Sequence, residues 1–266
     1  MLTHALHAQS SKPSAVSSKP IQDNSFLLEE AYNQEDAVIQ HISGAIFDRK
    51  SSSWTYALTD EWPVNGQRHQ LSLTVPLSHV ESVGAGLGDV ALNYRLQLVG
   101  SGETKLAVTP RVTLVFPTTA SKFGKTDFAA QGAFASSYVA APQLVLHSNA
   151  GFTFMPSARN SSSLRFNVGQ SAIWLLHPRI NLMFEAVADI REFDAGLAGT
   201  GISTGVTLSP GVRWSYNFDS MGDLQVVPGI AFPFGFDAYK GQRSVLIYLS
   251  LEHELRLLKR QMNSRR

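Results

Sequence analysis

The chain has 266 residues, a formal net charge of +1, 16% charged residues and no cysteine. That balance gives no reason to expect nucleic acid as a partner, and the missing thiols exclude disulfides and thiolate metal centres. Charge is below the ~25% of ordinary soluble domains, yet mean hydropathy is −0.04 and no apolar run approaches the ~18–20 residues of a membrane-crossing helix.

The N-terminal stretch Met1-Leu2-Thr3-His4-Ala5-Leu6-His7-Ala8 has neither a basic start nor a long apolar run. Two readings stay open. Residues 1–8 are the remnant of a signal peptide whose front is missing, as a start codon assigned too late would give, or the protein is not exported. Residues 1–22 read as a disordered lead-in, rich in Ser, Lys and Pro from residue 9 onward. Residues 23–36, Asp23-Asn-Ser-Phe-Leu-Leu-Glu-Glu-Ala-Tyr-Asn-Gln-Glu-Asp36, read as a short acidic helix capped by Asp23 or Asn24 and closing a barrel floor. The alternative is an acidic plug or a periplasmic docking segment.

From Ala37 the period becomes 2, and about twelve strands follow: 37–47, 52–63, 67–77, 87–99, 103–116, 131–140, 143–155, 163–176, 179–191, 203–216, 222–233 and 243–254. The stretch 86–116 shows the pattern best. Val90, Leu92, Tyr94, Leu96 and Leu98 share one face, with Asp89, Asn93 and Arg95 on the other. After Gly100-Ser101-Gly102 the alternation resumes, with Leu106, Val108, Val112, Leu114 and Phe116 against Lys105, Thr109 and Arg111. Such runs match the ~9–11 residues of a tilted strand crossing a bilayer. The charges on the second face suit a lumen better than a small packed core. The fold class is therefore all-β, an antiparallel up-and-down transmembrane β-barrel occupying 37–255, with a basic tail at 256–266.

Connections support this reading. Tight turns are expected at 64–67, 100–102, 141–142, 177–178 and 218–222. Longer links are expected at 78–86, 117–130, 157–162, 192–203 and 235–243, so short periplasmic turns alternate with longer extracellular loops. The first connection, 48–51, is short where a long one is expected. Trp54 and Trp62 share a face, and Trp174, Trp214, Tyr216 and Phe232 fall near strand ends on the apolar face, as in the aromatic girdles of membrane barrels. Pro76, Pro110, Pro210 and Pro228 fall inside predicted strands and require local bulges there.

Four segments carry a resemblance: residues 23–35, Gly86-Leu-Gly-Asp-Val-Ala-Leu-Asn-Tyr94, Pro110-Arg-Val-Thr-Leu-Val-Phe-Pro-Thr118 and His147-Ser-Asn-Ala-Gly-Phe152. On these the chain resembles a bacterial outer-membrane β-barrel family of transporters related to the phenol-degradation meta-pathway outer-membrane proteins. The resemblance covers roughly 23–254. It implies an outer-membrane barrel engaged in small-molecule uptake and supplies no catalytic residues.

The candidate lumen residues are Asp89, Asn93, Arg95, Lys105, Arg111, His147, Arg165, Glu185, Asp189, Arg213 and Glu252. A turn at Ser101 would put Asp89 diagonal to Arg111, and a turn at His177-Pro178 would put Asp189 diagonal to Arg165. Such pairs either line a charged pore or form an ion-pair ladder that fills a narrow interior. His147-Ser148-Asn149 invites a hydrolase reading, but adjacent strand residues point to opposite faces. His41, His69, His177 and His253 lack ligand spacing, so neither metal nor cofactor is expected. The chain is read as a non-enzymatic channel or transporter for small solutes. Its expected partners are outer-membrane lipids, a small-molecule solute and the barrel-assembly machinery. A soluble β-barrel binding module is the rival, and it requires charges outward and a sealed apolar interior.

Overall fold

The computed structural model describes residues 20–124, 126–156, 163–194, 200–218 and 224–254. The expected lead-in before residue 20, with its signal-peptide reading, and the basic tail lie outside them. Fifteen strand segments follow one another: β1 Val38–Asp48, β2 Trp54–Pro63, β3 His69–Val80, β4 Gly84–Leu87, β5 Val90–Leu96, β6 Leu106–Phe116, β7 Ala129–Ala141, β8 Leu144–Met155, β9 Ser163–His177, β10 Ile180–Asp194, β11 Thr200–Trp214, β12 Tyr216–Phe218, β13 Leu224–Ala231, β14 Phe234–Asp237 and β15 Ser244–Glu254. Sequential neighbours pair antiparallel. β15 pairs with both β13 and β1, which closes the sheet on itself. Three staves are each built of two segments, β4 with β5, β11 with β12 and β13 with β14, so the wall is a closed barrel of 12 strands.

Proline explains those splits. Each proline lacks the N–H that a ladder needs on one side. The break between β4 and β5 lies opposite Pro76, whose carbonyl accepts from Gly88 N–H at 2.8 Å. The break between β13 and β14 lies opposite Pro210, whose carbonyl accepts from Phe232 N–H at 3.0 Å. Pro228 faces the break at Ser215, between the Arg213–Gly229 and Tyr216–Val226 rungs. Pro110 stands just past the last β5–β6 rung, Arg95–Arg111. The expected irregularities are ladder breaks in the neighbouring strand.

Burial alternates along the strands with polar residues inside. Phe134, Trp174 and Val112 are 57%, 56% and 54% exposed, whereas Arg95 is 2% and Arg213 is 1% exposed. A soluble module with charges outward would reverse this, and the orientation of Arg95 rules it out.

The connections depart from strict parity. The link expected at 78–86 is mostly strand, because β3 runs to Val80 and β4 starts at Gly84. The turn expected at 100–102 is the wider connection 97–105. That widening shifts the hairpin register and sets Arg95 opposite Arg111, which removes Asp89 from the neighbourhood of Arg111. At the same end of the barrel, 142–143 and 178–179 are tight as expected. This end is called the turn end below.

Candidate functional site

Residues 20–37 form no helix, contrary to the capped helix expected there. They run irregularly through the lumen. The segment starts at the turn end, where Ile21 N–H donates to the Pro178 carbonyl at 2.8 Å. It rises along β9 and β10, turns over at Phe26–Glu30, and descends past β6 and β3 into β1. Its backbone cannot satisfy itself in this path, so the lumen side chains do so instead. Three successive N–H groups, of Phe26, Leu27 and Leu28, converge on Glu185 Oε1 at 3.2, 2.9 and 3.2 Å, a nest around a carboxylate oxygen.

Other staves add further partners. Glu29 N–H donates to Asn149 Oδ1 (2.8 Å), while Asn149 Nδ2 donates back to the Glu29 carbonyl (2.8 Å). Ala31 is held on both sides, its N–H by Ser137 Oγ at 2.8 Å and its carbonyl by Thr109 Oγ1 at 2.6 Å. Asn33 and Gln34 N–H groups meet Gln97 and Gln70 side chains at 2.8 and 2.7 Å. Asn181 donates to the Gln22 carbonyl at 2.9 Å, and Arg213 donates to the Asn24 carbonyl.

Apolar pins fix the apex. Phe26 lies in a slot cut by two glycines of the wall. A Cβ on Gly229 would stand 2.6 Å from Phe26 Cζ, and one on Gly211 2.7 Å from Cε2. Leu28 covers Gly169 in the same way, at 2.4 Å from a would-be Cβ. Tyr248 closes the Phe26 slot with ring centroids 5.2 Å apart, and the Arg213 guanidinium lies 4.9 Å over the Tyr248 ring.

Charge is paired between this lumen-filling segment of residues 20–37, termed the plug for its position, and the wall. Arg95 on β5 meets Glu30 at 3.5 Å and also donates to the Glu30 and Tyr32 carbonyls. Arg111 on β6 pairs with Glu29. Between the plug and the wall of β1, β2, β3, β5, β6 and β7 a cavity of about 340 Å³ remains, lined in part by Glu29, Glu30, Glu61, Asn93, Arg95 and Arg111. Burial pushes the Asp23 carboxyl above its ordinary range, opposed by the nearby His147.

The sequence candidates divide into three groups. Asn93, Arg95, Arg111, His147, Glu185, Arg213 and Glu252 face inward, and Arg95, Arg111, His147, Glu185 and Arg213 contact the plug. Asp89, Arg165 and Asp189 sit toward the opposite end. Asp89 pins the 117–128 link through Thr119 Oγ1 (2.6 Å) and Thr126 Oγ1 (2.8 Å) and does not pair with Arg111. Asp189 stands across from Asn167, diagonal to Arg165 as the turn predicted, and accepts from Tyr239 Oη at 3.3 Å. Lys105 is exposed in the 97–105 connection, with its ammonium 5.5 Å over the outward ring of Tyr138. It is a rim residue and not part of the lumen. Trp54, Trp62, Trp174, Trp214, Tyr216 and Phe232 occupy the outward face.

His147 and Ser148 do point apart. His147 Nδ1 lies 2.7 Å from Ser137 Oγ, and Nε2 lies 2.8 Å from the Asp23 carbonyl and 3.8 Å from its carboxylate. The residue types are those of a hydrolytic triad. However, Ser137 is 5% exposed and its oxygen already accepts from Ala31 N–H, so no substrate reaches it.

No family model matches the chain, and no curated protein matches it. Among solved structures it is similar to the NanC porin (TM-score 0.56, 8% identity, 81% of this chain and 100% of that one). It is also similar to the COG4313 outer membrane channel from Pseudomonas putida F1 (0.60, 11%, 83% and 96%) and to the KdgM porin (0.52, 8%, 81% and 99%). At such identities the likeness is one of fold: these neighbours are outer-membrane β-barrel porins and channels.

Proposed function

We propose that the chain is an outer-membrane channel for small solutes whose lumen is narrowed by its own N-terminal segment. The observation that carries this reading is the cavity of about 340 Å³ between plug and wall, inside a barrel with a polar interior and an apolar exterior. Only a barrel bathed in lipid gains from that inversion. The aromatic residues near the strand ends would mark the two membrane interfaces, with the turn end in the periplasm. Carboxylates and guanidiniums share the cavity wall, so the passage would sort solutes by charge as well as size. The resemblance to the phenol-degradation outer-membrane proteins adds uptake of small organic molecules as the direction of use. Lipids of the outer membrane and the barrel-assembly machinery are the partners this role requires.

Swelling of proteoliposomes in neutral, anionic and cationic solutes tests the reading. Uptake that falls steeply with solute size is expected, with Arg95→Ala and Arg111→Ala changing the order of the charged solutes. Permeability equal to that of protein-free liposomes for every solute would overturn it.

A further inference from the structure

His41 on β1 and His253 on β15 lie on the outward face, where the first and last staves meet and close the barrel. They are diagonal neighbours in the ladder, since His41 stands opposite Leu251 and His253 opposite Ile39. Their Nε2 atoms are 3.3 Å apart, with ring centroids 5.4 Å apart and planes inclined by 23°. A tetrahedral ion with metal–nitrogen bonds of ~2.0–2.1 Å holds two ligand nitrogens roughly 3.3–3.4 Å apart. The imidazole pair therefore already has the spacing of a chelate.

A second observation concerns the other ring nitrogen. His41 Nδ1 lies 2.6 Å from Asp60 Oδ1 on β2, directly across the ladder. A carboxylate that accepts from Nδ1–H fixes the tautomer and leaves the Nε2 lone pair free for a metal. His41, Asp60 and His253 lie within three residues of their strand ends at the turn end, close to where the wall meets water, and the His41 and Asp60 side chains are 39% and 41% exposed. Among the described residues no three His, Cys, Asp or Glu side chains converge on one point, which leaves water to fill the remaining positions.

We propose that His41 and His253 chelate a divalent transition-metal ion, with Asp60 orienting His41, and that the ion staples the β1–β15 seam. The rival account is a plain N–H···N hydrogen bond between the two rings, which needs no ion.

Titration of the folded barrel in detergent, carrying no added histidine tag, separates the two. Co²⁺ is the spectroscopic probe and Zn²⁺ the competitor. One equivalent of Co²⁺ should develop visible d–d absorption that Zn²⁺ abolishes. His41→Ala and His253→Ala should each weaken binding at least about tenfold, and Asp60→Asn, which keeps both imidazoles, about 10–100-fold. His69→Ala, also outward but elsewhere, should leave binding unchanged. Zn²⁺ should raise the heat-modifiable gel transition of the parent protein and of His69→Ala, but not of the two alanine variants of the pair, because an ion bound only by the closed barrel stabilises it by mass action. Absence of saturable binding, or binding indifferent to loss of His41 and His253, would overturn the proposal and leave the hydrogen bond as the account of the pair.

Discussion

The two halves of the lumen are built on the same strands and differ in packing. On β10, Asn181, Met183 and Glu185 at the turn end are 0%, 5% and 0% exposed, while Val187 and Asp189 farther along are only half-buried. On β8, His147 is 0% exposed and Gly151 is half-buried. The strand pattern is the same in both halves, and what changes is the occupant. Where the plug lies, amide, hydroxyl and charged side chains satisfy its backbone in place of water. Above it they do not. The inward polar face thus does two jobs, holding a backbone at one end and lining a space at the other.

Removing the occupant should give the largest effect. Deletion of residues 20–34 is expected to raise single-channel conductance in planar bilayers several-fold and to lower the heat-modifiable transition. Many buried polar groups, Glu185 and Arg213 among them, lose their partners and must be solvated by water. Conductance equal to that of the full chain would mean that the plug does not limit the pathway.

A smaller disturbance should come from the wall. Gly211→Val fills the slot that Phe26 occupies, where an added Cβ alone would stand 2.7 Å from the ring. Overpacking of this kind costs about 1–3 kcal/mol, enough to populate an undocked plug and raise the mean conductance. Gly44→Ala is the control, since a Cβ there meets nothing within 4 Å. If both substitutions behave alike, Phe26 is not the anchor.

Glu185→Ala leaves three N–H groups, that of Leu28 buried and those of Phe26 and Leu27 part-buried, without their acceptor. At about 1–3 kcal/mol for buried donors left without an acceptor, hydrogen-exchange protection of the Phe26, Leu27 and Leu28 amides should fall by about fivefold to a hundredfold. Amides in β3, on the opposite side of the barrel from β10, should keep theirs. An equal fall in both places would report global destabilisation instead of undocking.

The two regions also differ in how they could be read in the sequence. The staves were legible because alternation is a local property. The strand expected at 179–191 runs Ile180–Asp194, and the one at 163–176 runs Ser163–His177. The plug was not legible as a path, because its conformation is set by partners more than a hundred residues away, such as Asn149 for Glu29. Capping residues before an acidic run suggest a helix when only neighbours are considered. Gly169, Gly211 and Gly229 carried a usable signal, since glycine inside a strand marks close approach of another part of the chain. The Asp89–Arg111 pair failed for a related reason: one widened connection shifts every diagonal in its hairpin. His41 and His253 show no ligand spacing in the sequence, and their proximity was not legible there because barrel closure joins the two ends of the strand sequence.

The smallest expected effect is also the one that sets the plug apart from the wall by charge alone. Burial raises the docked Asp23 carboxyl above its ordinary value, so the docked plug holds that proton more tightly than a free segment would. Linkage then fixes the sign. The contribution of Asp23 to docking is fully present below the undocked pKa and is lost as pH rises through the docked one. Acidification through the carboxylate range and above it should therefore increase exchange protection of the Phe26–Leu28 amides, after correction for intrinsic rates, and lower the mean conductance, in each case by less than about tenfold. Asp23→Asn removes the titrating proton. It should raise protection at neutral pH toward the acidic value and flatten the profile, while the Glu29–Arg111 and Glu30–Arg95 pairs keep whatever pH dependence they impose. The same pH slope in the parent protein and in Asp23→Asn would remove Asp23 from the control of docking and assign that slope to the ion pairs between plug and wall.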